Sequence, residues 1–103
     1  MTIEEAKKHI HQEFVSDDGL DVLFRMSFDV EEERITEFLK ALKRLEEHYT
    51  NESVIEKKLV YQLFSMHQTL KASMGHWKVS HPEGLDRKTC WKIFDGIKSI
   101  FSS

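Results

Sequence analysis

Residues 29–49 read DVEEERITEFLKALKRLEEHY, and their pattern decides the fold. Ile35, Phe38, Leu39, Leu42, Leu45 and Tyr49 recur three or four residues apart, the period of one face of an α-helix. The opposite face holds Glu33, Glu37, Lys40, Lys43, Arg44 and Glu47. Glu33/Glu37 and Lys40/Arg44 are like-charge pairs at i,i+4, partly offset by Glu37/Lys40 and Lys43/Glu47. Asp29 stands three residues before Glu32, the spacing of a capping box, in which a short side chain accepts the N3 amide and the glutamate reaches back to the cap amide.

The same signals recur on either side. Thr2/Glu5 and Ser53/Glu56 repeat the capping-box spacing, and each opens an apolar-periodic run. Ile3, Ala6, Ile10 and Phe14 predict an amphipathic helix over 3–15. Ser16-Asp17-Asp18-Gly19 reads as a turn. The apolar segment 20–28 fits a buried helix or a strand, and helix is preferred because no partner strand is evident. Residues 54–74 carry a broader apolar face that includes Leu59, Val60, Leu63, Phe64, His67 and Leu70, as expected of a helix touched on two sides. Gly75 then suits a left-handed cap. His76–Leu85 is the one substantial loop, and a final helix covers about 86–101. The expected fold is all-α: one compact domain over 1–103, an antiparallel bundle of four to five helices.

Composition narrows the function classes. An apolar share of 40% with 32% charged residues is a globular balance, and no uncharged stretch approaches the roughly 18–20 residues of a membrane span. Four glycines and one proline leave little turn chemistry for a many-stranded β fold. A single cysteine excludes an internal disulfide and a multi-cysteine zinc site. No basic or apolar leader opens the chain, so a cytoplasmic location is expected.

Catalytic constellations are not legible. The glycines are dispersed, so neither a dinucleotide fingerprint nor a P-loop can be written. The carboxylates Glu31–Glu33 sit in a solvated helix start, with no apolar pocket to lift a pKa towards neutrality. Cys90, beside Trp91 and Phe94, reads as a small buried hydrophobe, although Lys88 and Lys92 are close enough in sequence to activate a thiol. His9 and His11 diverge on their helix, and His9 with Glu13 supplies two ligands where a metal needs more. His67 reads as a core or boundary imidazole. A metal- or ligand-binding bundle using His67, His76 and His81 is the alternative function, and a homodimeric regulatory bundle a third. No enzyme activity and no cofactor are expected.

Charge is the feature that bears on partners. Residues 1–51 hold seven Lys/Arg against thirteen Asp/Glu, and residues 52–103 hold eight against five, so the net −3 divides into −6 and +3. Asp17, Asp18 and Asp21 occupy one turn, and Glu31, Glu32, Glu33 and Glu37 the start of the longest helix. A negative surface of this kind docks a basic protein, speeds association and excludes wrong partners. Trp77, in the loop 76–82, is the candidate aromatic anchor. The basic residues of the second half are spread over three elements, so direct nucleic-acid binding is not expected, nor is a membrane. In size, acidity and helical build the chain is similar to small immunity proteins and antitoxins that plug toxic nucleases, a likeness of type carried by no matched motif. It implies a non-catalytic acidic inhibitor of a basic partner.

Overall fold

Why the chain folds as it does is clearest from how each helix ends. The structure, a computed structural model, describes residues 1–102, and these form α1 (Ile3–Val15), α2 (Leu20–Arg25), α3 (Glu32–Tyr49), α4 (Lys57–Met74) and α5 (Arg87–Ser102). The α1 start is the capping box that its sequence predicts: Thr2 Oγ1 accepts the Glu5 amide at 3.1 Å, and Glu5 accepts the Thr2 amide at 2.9 Å. The other two boxes do not form. Helix α3 begins at Glu32 after Glu31, and α4 begins at Lys57 after Glu56, neither with a side-chain cap. Their acceptors serve tertiary contacts instead. Asp29 Oδ1 takes the Glu83 amide at 2.9 Å, while Glu56 receives Lys7 Nζ at 2.6 Å and the Tyr49 hydroxyl. Those two donors hold the Glu56 carboxyl down to about 2.

The apolar segment 20–28 is helical only to Arg25. Ser27 turns into the left-handed region at φ 57°, Phe28 N–H bonds Leu23 O at 2.9 Å, and Ser27 N–H bonds Phe24 O at 3.2 Å. This is a Schellman stop with serine in the position where glycine is usual, so nothing local announced it. Gly75, expected in that conformation, is right-handed at φ −63°. On the α3 surface Lys43 reaches Glu46 at 3.5 Å rather than Glu47, and Lys40 meets Glu37 at 3.2 Å as its spacing implies.

The four long helices form a ring in the spatial order α1, α3, α5, α4, with α2 packed on α4 and α1. Chain direction alternates from each long helix to the next. Glu13 meets Arg34 and Arg44 meets Met1, so α1 and α3 are antiparallel. Lys7 meets Glu56 and His11 meets Gln62, so α4 returns alongside α1 in the same direction. Helices α3 and α4 lie diagonally across the core, and the connection 50–56 crosses one end of the bundle. The architecture is an all-α antiparallel helical bundle. No helix is long and apolar enough to cross a membrane.

The core follows the apolar stripes. Ala6 and Ile10 of α1, Leu20 and Phe24 of α2, Phe38, Leu42 and Leu45 of α3, Leu63, Met66 and Leu70 of α4, and Ile93 and Ile100 of α5 are buried. Three polar groups join them: Glu13, Gln62 and Ser73. Each is satisfied. Ser73 Oγ donates to Phe24 O at 2.6 Å, tying α4 to α2, and the Gln62 amide pairs with His11 Nδ1 at 2.7 Å. Gly96 lets α5 sit close on α3, since a Cβ there would lie 3.0 Å from Leu42 Cδ1.

Candidate functional site

The end of the bundle opposite the 50–56 connection gathers the acidic residues, and two polar clasps assemble it. The first is Glu13, on the last turn of α1 and only 8% exposed. Its Oε1 accepts the Leu20 amide at 3.2 Å and Arg34 Nη2 at 2.6 Å, while His9 Nε2 stands 3.9 Å from its other oxygen. One carboxylate therefore holds the turn 16–19 against the first turns of α3, and with it Asp17 and Asp18 beside Glu31–Glu37. Gly19 is the close-approach point of that turn, where a Cβ would lie 2.4 Å from Glu13 O.

The second clasp joins residues far apart in sequence. Val30 N–H bonds Glu83 O at 2.8 Å, and Glu83 N–H bonds Asp29 Oδ1 at 2.9 Å. Gly84 follows at φ +83° with its Cα against Val30 O. Asp86 caps α5 by accepting the Thr89 amide at 2.8 Å, and the Thr89 hydroxyl, with that amide second to it, holds the Asp86 carboxyl below the ordinary aspartate range. Between α3 and the start of α5 lies a groove of about 670 Å³, with Val30, Ile35 and Leu39 in its floor and Glu31, Glu32, Glu83 and Asp86 among its walls. A shallower depression of about 490 Å³ continues it along Glu31, Glu33 and Glu37.

Most of the acidic residues expected at a docking surface are thus brought to one end: Asp17, Asp18, Glu31, Glu32, Glu33 and Glu37 are all exposed. Asp21 is not among them. Its side chain is largely buried, faces Arg25 at 3.7 Å and Thr69, and burial raises its pKa above the ordinary aspartate value. Trp77 is half-buried and folds back onto the bundle end, its indole N–H donating to Ser27 Oγ at 2.9 Å. Glu83 and Asp86 are the residues sequence reasoning missed. They lie in a basic half and join the acidic end only through the second clasp.

The remaining chemistry-bearing side chains are dispersed. Cys90 is buried, its thiol directed at Leu85 O at 3.6 Å, and burial pushes its pKa up to about 11, with nearby Asp86 adding to the effect. Lys88 and Lys92 do not activate it. We expect a thiol reagent such as Ellman's to leave Cys90 untouched in the folded protein at mildly alkaline pH and to react fully after unfolding in guanidinium. Modification of the native protein at the rate of a free thiol would contradict this. His81 Nδ1 faces Pro82 O at 2.8 Å in the loop before α5, whereas His67 packs on Phe94 with ring centres 4.6 Å apart. Among the described residues no three His, Cys, Asp or Glu side chains converge on a point where a metal would sit.

Helices α4 and α5 leave a second concavity of about 530 Å³ on the other side of α5, with Phe64, Trp91, Phe94 and Phe101 in its lining. No known protein family, curated protein or solved structure matches the chain, so its function has to be read from these two surfaces.

Proposed function

We propose that the protein is a non-catalytic binding domain that docks a basic protein partner through the acidic end. The observation that carries this reading is the α3–α5 groove, which combines an apolar floor of Val30, Ile35 and Leu39 with carboxylates from two distant stretches of chain. An apolar floor supplies burial, and the surrounding charges set orientation, association rate and discrimination. Asp17, Asp18, Glu31, Glu32, Glu33, Glu37, Glu83 and Asp86 are the partner-facing residues on this view. Arg34 is engaged by Glu13 and Lys40 meets Glu37, so Lys92 is the one lysine or arginine in the groove lining, against Glu31, Glu32, Glu83 and Asp86. A toxic nuclease fits the chemistry of such a partner, since a surface built to bind phosphates is basic and exposed carboxylates can take the place of phosphates on it. The role is that of a small acidic inhibitor, and a free thiol kept buried suits the cytoplasm as its setting.

The test is capture on the immobilised protein at low and high salt, with the Glu31→Lys/Glu32→Lys/Glu33→Lys variant in parallel. We expect the captured partner to be basic, its affinity to fall about tenfold or more on charge reversal, and the complex to weaken steeply as salt screens the charges. A partner indifferent both to ionic strength and to the reversal would overturn the reading.

A further inference from the structure

We infer that the groove between α4 and α5 is a second docking site, and that its occupant is an acidic amphipathic helix of a partner protein. This inference is independent of the acidic end, because the two surfaces lie on different sides of α5 and carry opposite charge.

The first observation is an apolar surface that the bundle does not use. Val60, Phe64, His67 and Lys71 on α4, and Trp91, Lys98 and Phe101 on α5, lie at helical spacing outside the core stripe. Phe64 is 58% exposed, Trp91 51% and Phe101 46%, while Phe94 and Ile97 are buried beneath them. Large aromatic side chains clustered at this exposure mark an interaction surface rather than chance exposure of single residues. Trp91 stands edge-on to Phe94 with ring centres 5.8 Å apart, so the exposed indole rests on a buried ring of the core. Burial and neighbouring Lys71 lower the pKa of His67, which therefore contributes an uncharged ring to that floor.

Shape and charge choose the occupant. From Val60 to Lys71 the groove wall rises about 16 Å, three turns of helix, long enough for apolar anchors at i, i+4 and i+7 of a docked helix. The groove is recessed between two helices, a shape that accepts an inserted chain; a bilayer is engaged instead by apolar side chains that protrude. Helix α4 carries Lys57, Lys58 and Lys71 with no carboxylate, and α5 carries Arg87, Lys88, Lys92 and Lys98 against Asp95 alone. Lys71 and Lys98 line the groove together with a single carboxylate, Asp95, and among the described residues neither lysine is paired with it, so the lining keeps an excess of positive charge. A second copy seated here would bring four of these lysines together with only two carboxylates, one Asp95 from each copy, whereas a helix flanked by Asp and Glu meets both lysines.

The experiment is a selection on the full chain from a displayed library of amphipathic helical peptides whose flanking positions are randomised among Asp, Glu, Lys and Ser. We expect the enriched peptides to be acidic, with apolar residues at helical spacing. Their affinity should fall at least about tenfold against Phe64→Ala/Trp91→Ala and again against Lys71→Glu/Lys98→Glu. It should be unchanged against Glu31→Lys/Glu32→Lys/Glu33→Lys, which separates this site from the acidic end. The substituted aromatics are half exposed, and circular dichroism of each variant verifies that the bundle is intact. Three results overturn the inference. One is enrichment of peptides without acidic bias, or no enrichment at all. Another is acidic peptides that bind the aromatic and lysine variants as well as the parent. The last is occupation by something else: a dimer in light scattering that Phe64→Asp dissociates, or phosphatidylglycerol vesicles bound in a Trp91-dependent manner.

Discussion

Replacing Glu13 by alanine is expected to lower the unfolding free energy by about 2–4 kcal/mol, read as a fall in Tm of roughly 10–20 °C. The loss is large because one nearly buried carboxylate satisfies two donors from different elements, the Leu20 amide and the Arg34 guanidinium. Removing it leaves a backbone N–H at the start of α2 and a cation on α3 without their acceptor. Arg34→Ala should cost less, about 1 kcal/mol, since the arginine is a third exposed and the Leu20 amide keeps its partner. Thermal unfolding of the two single variants and the double variant measures the coupling between the pair. A cost below about 1 kcal/mol for Glu13→Ala would show that the clasp is dispensable. The variant should also loosen the turn 16–19 from α3, so partner binding at the acidic end should weaken even though no exposed carboxylate has been touched.

Gly84→Ala is the second change of large expected effect, about 2–4 kcal/mol of lost stability. Two penalties coincide there. The backbone sits at φ +83°, and an added Cβ would lie 2.0 Å from Val30 O, so either the loop or the start of α3 has to move. The displaced carbonyl belongs to the residue whose amide bonds Glu83, so the second clasp opens and the groove walls separate. Gly75→Ala is the matched control: with φ −63° and its nearest neighbour 3.3 Å away, it should stay within about 1 kcal/mol of the parent. Urea unfolding of both variants makes the comparison, and equal stabilities would refute the steric argument.

Helix positions were legible in the chain because they follow from periodicity; helix starts were legible only where no distant group competes for the cap. Thr2 and Glu5 serve each other, and their box forms. Asp29 and Glu56 have the same local spacing, yet Asp29 is taken by an amide 54 positions away and Glu56 by Lys7 and Tyr49. The acidic helix start and turn were likewise visible. What joins them was not: Glu13 looked like half a metal pair with His9, and only the antiparallel packing of α1 on α3 reveals it as the arginine's partner. Glu83 and Asp86 lie among basic residues in sequence, so a split of charge by halves hid them. The broad apolar face of α4 was read as contact on two sides. Helix α4 does pack on α1 and α2 on one side and on α5 on the other, but Val60, Phe64 and His67 of that face form the uncovered wall of the groove, a distinction that periodicity cannot make.

The alternation of the four long helices has a further consequence for how the domain can be tethered. Met1 accepts a bond from Arg44 near the end of α3, and Phe101 reaches the groove beside Val60 at the start of α4, so residues 1 and 102 emerge at one pole of the bundle. The carboxylate groove occupies the other pole. A tag, surface linkage or neighbouring domain attached at either terminus therefore points away from that groove and leaves it unobstructed, while the α4–α5 groove runs down the flank towards the attachment point. Immobilising the protein by its last residues should crowd the flank and spare the pole.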